Sequence, residues 1–134
     1  MKWRTTLPSD TVLDSSAMLA VIYNERGADI VAQRMRGALL STVNLVEVQS
    51  KLILNGAAPD LAWLSIASFQ CEICPLDADQ ARVASGLARM AKPLSLSLGD
   101  RVCLALAIQR SATVYTADRA FCGMTVPIKI ELIR

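Results

Sequence analysis

Four carboxylates stand out by what surrounds them. Asp14 follows the apolar run Thr11-Val12-Leu13, and Glu47 sits between Val46 and Val48. Asp100 follows Gly99 and leads into Val102–Ile108, while Asp118 lies just past Thr113–Thr116. Each borders an apolar run instead of lying in a charged loop. The chain has no histidine, so imidazole bases, Ser-His-Asp triads and histidine metal ligands are excluded. Carboxylates and hard cations remain. If the four acids converge, they cannot all stay ionised alone, because like charges raise one another's pKa and a bound divalent ion restores the charged form. All-oxygen ligands select Mg²⁺ or Mn²⁺ over Zn²⁺. Such an ion suits phosphodiester hydrolysis, since it activates a water and neutralises developing charge.

Taken singly, each acid has a plainer explanation. Asp14 and Asp100 could cap the helices that follow them, and Asp118 could be a turn residue. Glu47 is harder to explain as surface, and it shares a helix face with Asn44 at i, i+3. The plain explanations require four coincidences, whereas convergence requires one cause. The charge pattern agrees. Residues 37–81 hold five acids and one base, Lys51, whereas residues 82–134 hold eight bases and three acids. On its own this would be an ordinary solvated surface. Without the four acids, however, the net charge would be +6 rather than +2, and ten of the fourteen cations are arginine. Arginine suits bidentate phosphate contacts. An acidic pocket in a basic rim fits a polyanionic substrate.

The elements that must position these groups alternate in type. Thr11–Asp14, Leu39–Val43, Gln70–Pro75, Thr113–Thr116 and Ile128–Leu132 read as strands. Between them, Ser15–Asn24 reads as a helix capped by Ser15 or Ser16, followed by a turn at Asn24–Gly27 and an amphipathic helix over Ala28–Arg36. Asn44 caps a helix over Leu45–Leu54 that Asn55-Gly56 closes, and Pro59 opens another to about Ser68. Asp77 begins a helix to about Ala91, Lys92–Leu98 is a loop, and Val102–Ile108 is a buried helix. Strands separated by helices imply a parallel sheet covered on both faces. In such sheets ligands sit beyond the carboxyl ends of the strands, near a switch in strand order.

A length of 134 residues implies one domain with its core at about 11–132. Hydrophobic residues make up 53% and charged residues 19%, which excludes disorder and suggests buried helices or a subunit interface. The longest uncharged stretch, Leu61 to Cys71, spans eleven residues, far short of a membrane helix. Lys2 and Arg4 are followed by Pro8, Asp10 and Asp14, with no apolar leader core. A cytoplasmic protein without membrane contact is expected. Six aromatic residues argue against a nucleic-acid binder built as a stacking platform. Cys71-x-x-Cys74 lacks the second pair or histidines of a zinc site, since Cys103 and Cys122 stand alone. On a strand the two sulfurs would diverge, so buried free thiols are expected. Met18, Met35 and Met90 read as core or interface filler.

Four segments appear in order: Val12-Leu13-Asp14-Ser15-Ser16; Ser41-Thr42-Val43-Asn44-Leu45-Val46-Glu47-Val48; Leu96-Ser97-Leu98-Gly99-Asp100-Arg101 with Leu104-Ala105-Leu106-Ala107; and Thr116-Ala117-Asp118-Arg119-Ala120-Phe121. Together they resemble the PIN domain family, in particular its VapC toxin type, from about Thr11 to Leu132. The resemblance implies a three-layer α/β/α sandwich around a mostly parallel five-stranded sheet. It also implies a Mg²⁺- or Mn²⁺-dependent endoribonuclease, RNA as substrate, and an antitoxin partner that lays a peptide segment over the active site. Asp14, Glu47, Asp100 and Asp118 match the family's acids, and Ser16, Asn44 and Thr116 its polar supports. Arg101 and Arg119, each beside one of these acids, are candidate RNA contacts. Both the resemblance and the hydrophobic excess favour a homodimer. Two other readings are a PIN nuclease of ordinary RNA processing and a catalytically silent PIN-like module that binds RNA or protein. A dehalogenase-type phosphatase would need Asp where the chain has Ser16.

Overall fold

The computed structural model describes residues 10–134. The Lys2/Arg4/Pro8 leader reading lies outside the described residues. Among the described residues, five strands form one sheet in the order β3-β2-β1-β4-β5: β1 Thr11–Leu13, β2 Leu39–Ser41, β3 Glu72–Cys74, β4 Thr113–Thr116 and β5 Ile130–Leu132. Every pairing is parallel, with Val12 opposite Leu39 and Val114, Leu40 opposite Ile73, and Tyr115 opposite Glu131. The expectation of a mostly parallel sheet is thereby sharpened to an entirely parallel one.

Alternation along the central strands divides two cores. Leu13, Leu40 and Tyr115 face one side, packed with residues of α1 (Ser15–Ile22), α2 (Ala28–Ala32), α3 (Thr42–Leu54) and α4 (Pro59–Ala67). Val12, Leu39 and Val114 face the other, against α6 (Ala88–Ala91) and α7 (Leu98–Arg110), with α5 (Ala78–Gly86) packed on α7. Helix α7 is enveloped, with Val102 through Ala107 all buried. Gly99, Cys103, Ala105 and Ala107 fit that place, because small side chains let a helix approach a sheet and a neighbouring helix closely. No helix among the described residues is long and apolar enough to cross a membrane.

Several local boundaries differ from expectation. The cap of α1 is Asp14, not Ser15 or Ser16, and the cap of α3 is Ser41, not Asn44. Ser41 ends its strand with its hydroxyl already within reach of the Val43 N–H, at 3.2 Å, which starts the helix early and places Asn44 inside it. The long helix after Asp77 breaks at Leu87 into α5 and α6. The expected loop contains a 3-10 turn at Lys92–Leu94, and α7 begins at Leu98, capped by Ser97. A second 3-10 turn, Arg119–Gly123, follows β4.

Candidate active site

Going from β1, the chain builds outward to β2 and β3, then returns to add β4 and β5 on the other side. The strand order therefore switches between β1 and β4, and Asp14 and Thr116 stand at the carboxyl ends of these two strands. Asp14 is 3% exposed. Its Oδ1 accepts the Ala17 N–H at 2.8 Å, capping α1. The Ser16 hydroxyl donates to its Oδ1 at 2.7 Å, and the Thr116 hydroxyl to its Oδ2 at 2.5 Å. Both hydroxyls also accept from the backbone after β4: Ser16 Oγ from Ala117 N at 2.9 Å, and Thr116 Oγ1 from Asp118 N at 3.0 Å. Two small hydroxyl side chains thus stitch the ends of β1 and β4 together around one carboxylate.

Glu47 arrives from α3. Its Oε1 accepts from the Ser15 hydroxyl at 2.5 Å and from the Asn44 amide at 2.9 Å. The same Asn44 amide donates to the Gly99 carbonyl at 3.2 Å, which ties α3 to the start of α7. Gly99 is buried, and a Cβ there would overlap the Glu47 carboxylate. One turn of α7 therefore lies directly against Glu47 because that position has no side chain. The next residue, Asp100, closes a capping box: its Oδ2 accepts the Ser97 N–H at 2.7 Å, and Ser97 Oγ accepts the Asp100 N–H at 3.2 Å. Asp118 is exposed and caps the 3-10 turn after β4, accepting the Ala120 N–H at 2.9 Å.

The acids feel one another. Burial pushes the Asp14 carboxyl up to about 6 against the three hydrogen-bonding groups that hold it down, and Asp100 adds to the rise. Burial also raises Asp100, to which the charges of Asp118 and Glu47 contribute. Beneath them, burial and the charges of Asp14, Asp100 and Glu47 push the Cys103 thiol well up. Among the described residues, none of the four acids forms an ion pair with Lys or Arg, although Asp10, Glu25, Glu72 and Glu131 do. Nor, among the described residues, are three Asp, Glu or Cys side chains gathered into a ready metal cage. The arrangement is an open rim graded from buried Asp14, through half-buried Glu47 and Asp100, to exposed Asp118.

The capping explanations hold for three of the four acids. Asp14, Asp100 and Asp118 all cap, and they share one end of the sheet with Glu47. Arg101 donates to the Ala84 carbonyl of α5 at 3.0 Å, so part of its guanidinium anchors two helices to each other. Arg119 is exposed. Sequence reasoning missed the roles of Ser15, Ser97 and Gly99. The spacing Ser97-x-x-Asp100 is a capping-box pattern and could have been found, whereas Gly99 carries no signal until Glu47 is placed beside it.

The cysteine pair separates as expected. Cys71 precedes β3 and is half-buried, not buried as expected, with its sulfur 3.4 Å from that of Met35 against the core beneath α1–α4. Cys74 ends β3 and belongs to the opposite core. The cysteines are free, and Cys122 is exposed.

Among curated proteins, none matches this sequence. Similar solved structures include a toxin-antitoxin complex from Klebsiella pneumoniae (17% identity, 90% of this chain and 100% of that one, TM-score 0.69). A DNA-bound VapBC from Salmonella typhimurium is equally similar (17% identity, 95% and 100%, TM-score 0.69). VapBC-5 from Mycobacterium tuberculosis is more distant in structure (22% identity, 95% and 99%, TM-score 0.58). These likenesses show the fold. The PIN domain family matches residues 11–126, the span that carries β1–β4 and the acidic rim, and the chain belongs to that family.

Proposed function

We propose that this protein is the toxin endoribonuclease of a toxin–antitoxin pair and hydrolyses RNA phosphodiester bonds with the help of Mg²⁺ or Mn²⁺. One observation carries the reading: Asp14, Glu47, Asp100 and Asp118 line one end of the sheet at its switch point, Asp100 feels the charges of Asp118 and Glu47 and adds to that on Asp14, and no cationic side chain among the described residues pairs with any of the four. The donor set fits a hard divalent ion. It is all oxygen, and an open rim suits Mg²⁺, which keeps several waters and takes one or two carboxylates. The buried Asn44 Oδ1, which has no hydrogen-bond partner among the described residues, is a further oxygen at the rim. Asp14, Glu47, Asp100 and Asp118 would hold the ion. Bound there, it supplies an activated water and charge neutralisation at the phosphate.

The protein's own residues supply position. Ser16 and Thr116 fix the plane of the Asp14 carboxylate, while Ser15 and Asn44 hold Glu47 toward α7. Exposed Asp118 and Arg119 border the path of an incoming strand, and Arg101 stands next to Asp100. With no histidine to activate the RNA 2′-hydroxyl, cleavage leaves a 5′-phosphate and a 3′-hydroxyl. The toxin reading is supported by the fold it shares with toxin-antitoxin complexes. It is also supported by an exposed apolar face on α3 and α4, where Val46, Leu54, Leu61, Trp63 and Leu64 lie open and Leu54 is 84% exposed. Such a face suits an antitoxin or a second copy in a homodimer, and the setting is cytoplasmic.

The test is RNA cleavage with and without EDTA, with product ends mapped. Cleavage by chelated protein, or 2′,3′-cyclic phosphate ends, overturns the mechanism. Light scattering that finds only particles of single-chain mass overturns the dimer, and failure of co-expressed antitoxin to suppress growth arrest overturns the toxin role.

A further inference from the structure

Beside the acidic rim lies a second concavity, a pocket of about 420 Å³ lined by Ser16, Leu19, Tyr23, Glu25, Lys51, Asn55 and Arg134. Its volume falls within the roughly 300–1,000 Å³ of small-molecule sites. Ser16, Leu19 and Tyr23 fall on one stripe of α1 and the residue that closes it, while Lys51 and Asn55 lie one turn apart at the end of α3. The pocket is therefore the cleft between these two helices. Ser16 belongs to both sites, since its hydroxyl bonds the Asp14 carboxylate and its side chain lines the pocket. Lys51 lies one turn beyond Glu47 on α3, so the cleft runs along the two helices from the end that carries the acids.

The lining is chemically differentiated. Tyr23 is 40% exposed, and its hydroxyl accepts from the Asn55 amide at 2.7 Å, which holds the side chain in place at the surface. Leu19 supplies an apolar wall. Glu25 is engaged by Arg134, whose Nη1 lies 3.3 Å from Oε1 and also donates to the Arg26 carbonyl at 3.0 Å. Lys51 has no carboxylate partner among the described residues. The pocket thus combines an aromatic surface, an amide and an unneutralised ammonium next to a proposed phosphodiesterase centre.

We propose that this cleft is a nucleotide subsite that takes one unpaired base of the RNA strand next to the scissile phosphate, the base stacking on Tyr23 and the adjacent phosphate meeting Lys51. This rests on the ribonuclease reading and narrows it to single-stranded or looped RNA, because bases in an A-form duplex stay stacked and cannot enter a pocket. One tyrosine offers one stacking position, not a platform, in keeping with a chain poor in aromatics.

Two measurements test this. In the first, nucleoside 5′-monophosphates are titrated into isotope-labelled protein without metal, and amide shifts are followed. Shifts centred on Tyr23, Lys51 and Asn55 support the subsite, and their absence overturns it even if RNA is cleaved. In the second, an oligonucleotide is cleaved alone and annealed to its complement. Tyr23→Ala is expected to raise KM about tenfold with less change in kcat and to blur the base preference beside the cut. Tyr23→Phe should restore most of both. Lys51→Ala should lower the salt dependence of binding by about one phosphate contact. Equal cleavage of duplex and single strand, or an unchanged KM and cut profile in Tyr23→Ala, overturns the subsite with the nuclease reading intact. A wild-type protein that cleaves no RNA in Mg²⁺ or Mn²⁺ overturns the nuclease reading, and the nucleotide titration then decides the pocket alone.

Discussion

Asp14 at the end of β1 and Cys71 beside β3 are both metal-type side chains, and burial moves both in the same direction: the carboxyl to about 6 and the thiol to about 11. The consequences are opposite. At neutral pH the thiol lies far below its pKa, stays uncharged and packs against Met35 as a small apolar group. The carboxyl lies above its pKa and is ionised in spite of its burial, with Asp100 and the rest of the rim adding negative charge. Burial by itself therefore marks neither region as functional. What separates them is whether the buried group carries charge under working conditions without a counter-charge. The half-buried thiol needs no partner, whereas the buried carboxylate carries a charge that no cationic side chain among the described residues offsets.

The sharpest way to break the contrast is Asp14→Asn. This change keeps size while removing the charge and turning one accepting oxygen into a donor, and it should lower RNA cleavage by more than about 10²-fold, the scale of losing one fixed electrostatic partner. The folded protein should persist, so a circular dichroism melt alongside the cleavage assay separates loss of chemistry from loss of fold. A folded variant of undiminished activity would remove Asp14 from the centre.

Gly99→Ala comes next. The added methyl displaces the Glu47 carboxylate, and an effect of about 10- to 100-fold on activity or metal affinity is expected, as for residues that orient ligands. A strain of about 1–3 kcal/mol in the melt should accompany it. Glu47→Gln in the same assay shows whether the loss runs through that carboxylate.

The third prediction concerns pH. The folded state keeps the Asp14 proton to about pH 6, whereas the unfolded chain releases it near 3.8. This group's contribution to metal-free stability is full below 3.8 and is lost as the pH rises to about 6, with roughly 3 kcal/mol at stake. Mg²⁺ should accordingly raise the melting temperature more above about pH 7 than near pH 5. Asp14→Asn should flatten both responses. For Cys71, the unfolded thiol ionises near 9.0 and the folded one near 11, so its contribution is lost only across that alkaline window.

The smallest effect is expected at the cysteines. Cys71→Ser with Cys74→Ser should cost about 1–3 kcal/mol for burying hydroxyls and leave metal content and cleavage unchanged. Stoichiometric zinc that disappears in this double variant would reverse the comparison.

What the sequence shows plainly is the alternation of short apolar runs and helical segments. That pattern sufficed to place Asp14 and Asp118 at strand ends and Glu47 beside Asn44, because period and punctuation are local properties. The caps were less legible. Ser41-Thr42-Val43-Asn44 offers three good capping residues, and Ser41 takes the role because its hydroxyl accepts the Val43 N–H where the strand ends. Gly99 reads as a loop residue until a carboxylate from another helix is seen against it. The cleft of Tyr23, Lys51 and Asn55 was invisible for the same reason: it is assembled from two helices whose packing no local pattern encodes.

The strand order also has a consequence for biosynthesis. The Thr116 hydroxyl that fixes the Asp14 carboxylate lies 102 residues further along the chain, and β1 gains its second neighbour only when β4 exists. A parallel pairing across so much chain closes late, after the nearer β1–β2 and β2–β3 units. A nascent polypeptide on the ribosome therefore carries Asp14 and Glu47 long before it carries Asp100, Thr116 and Asp118. The acidic rim is incomplete until β4 and the turn after it have been made, and a chain truncated before β4 lacks both Thr116 and Asp118.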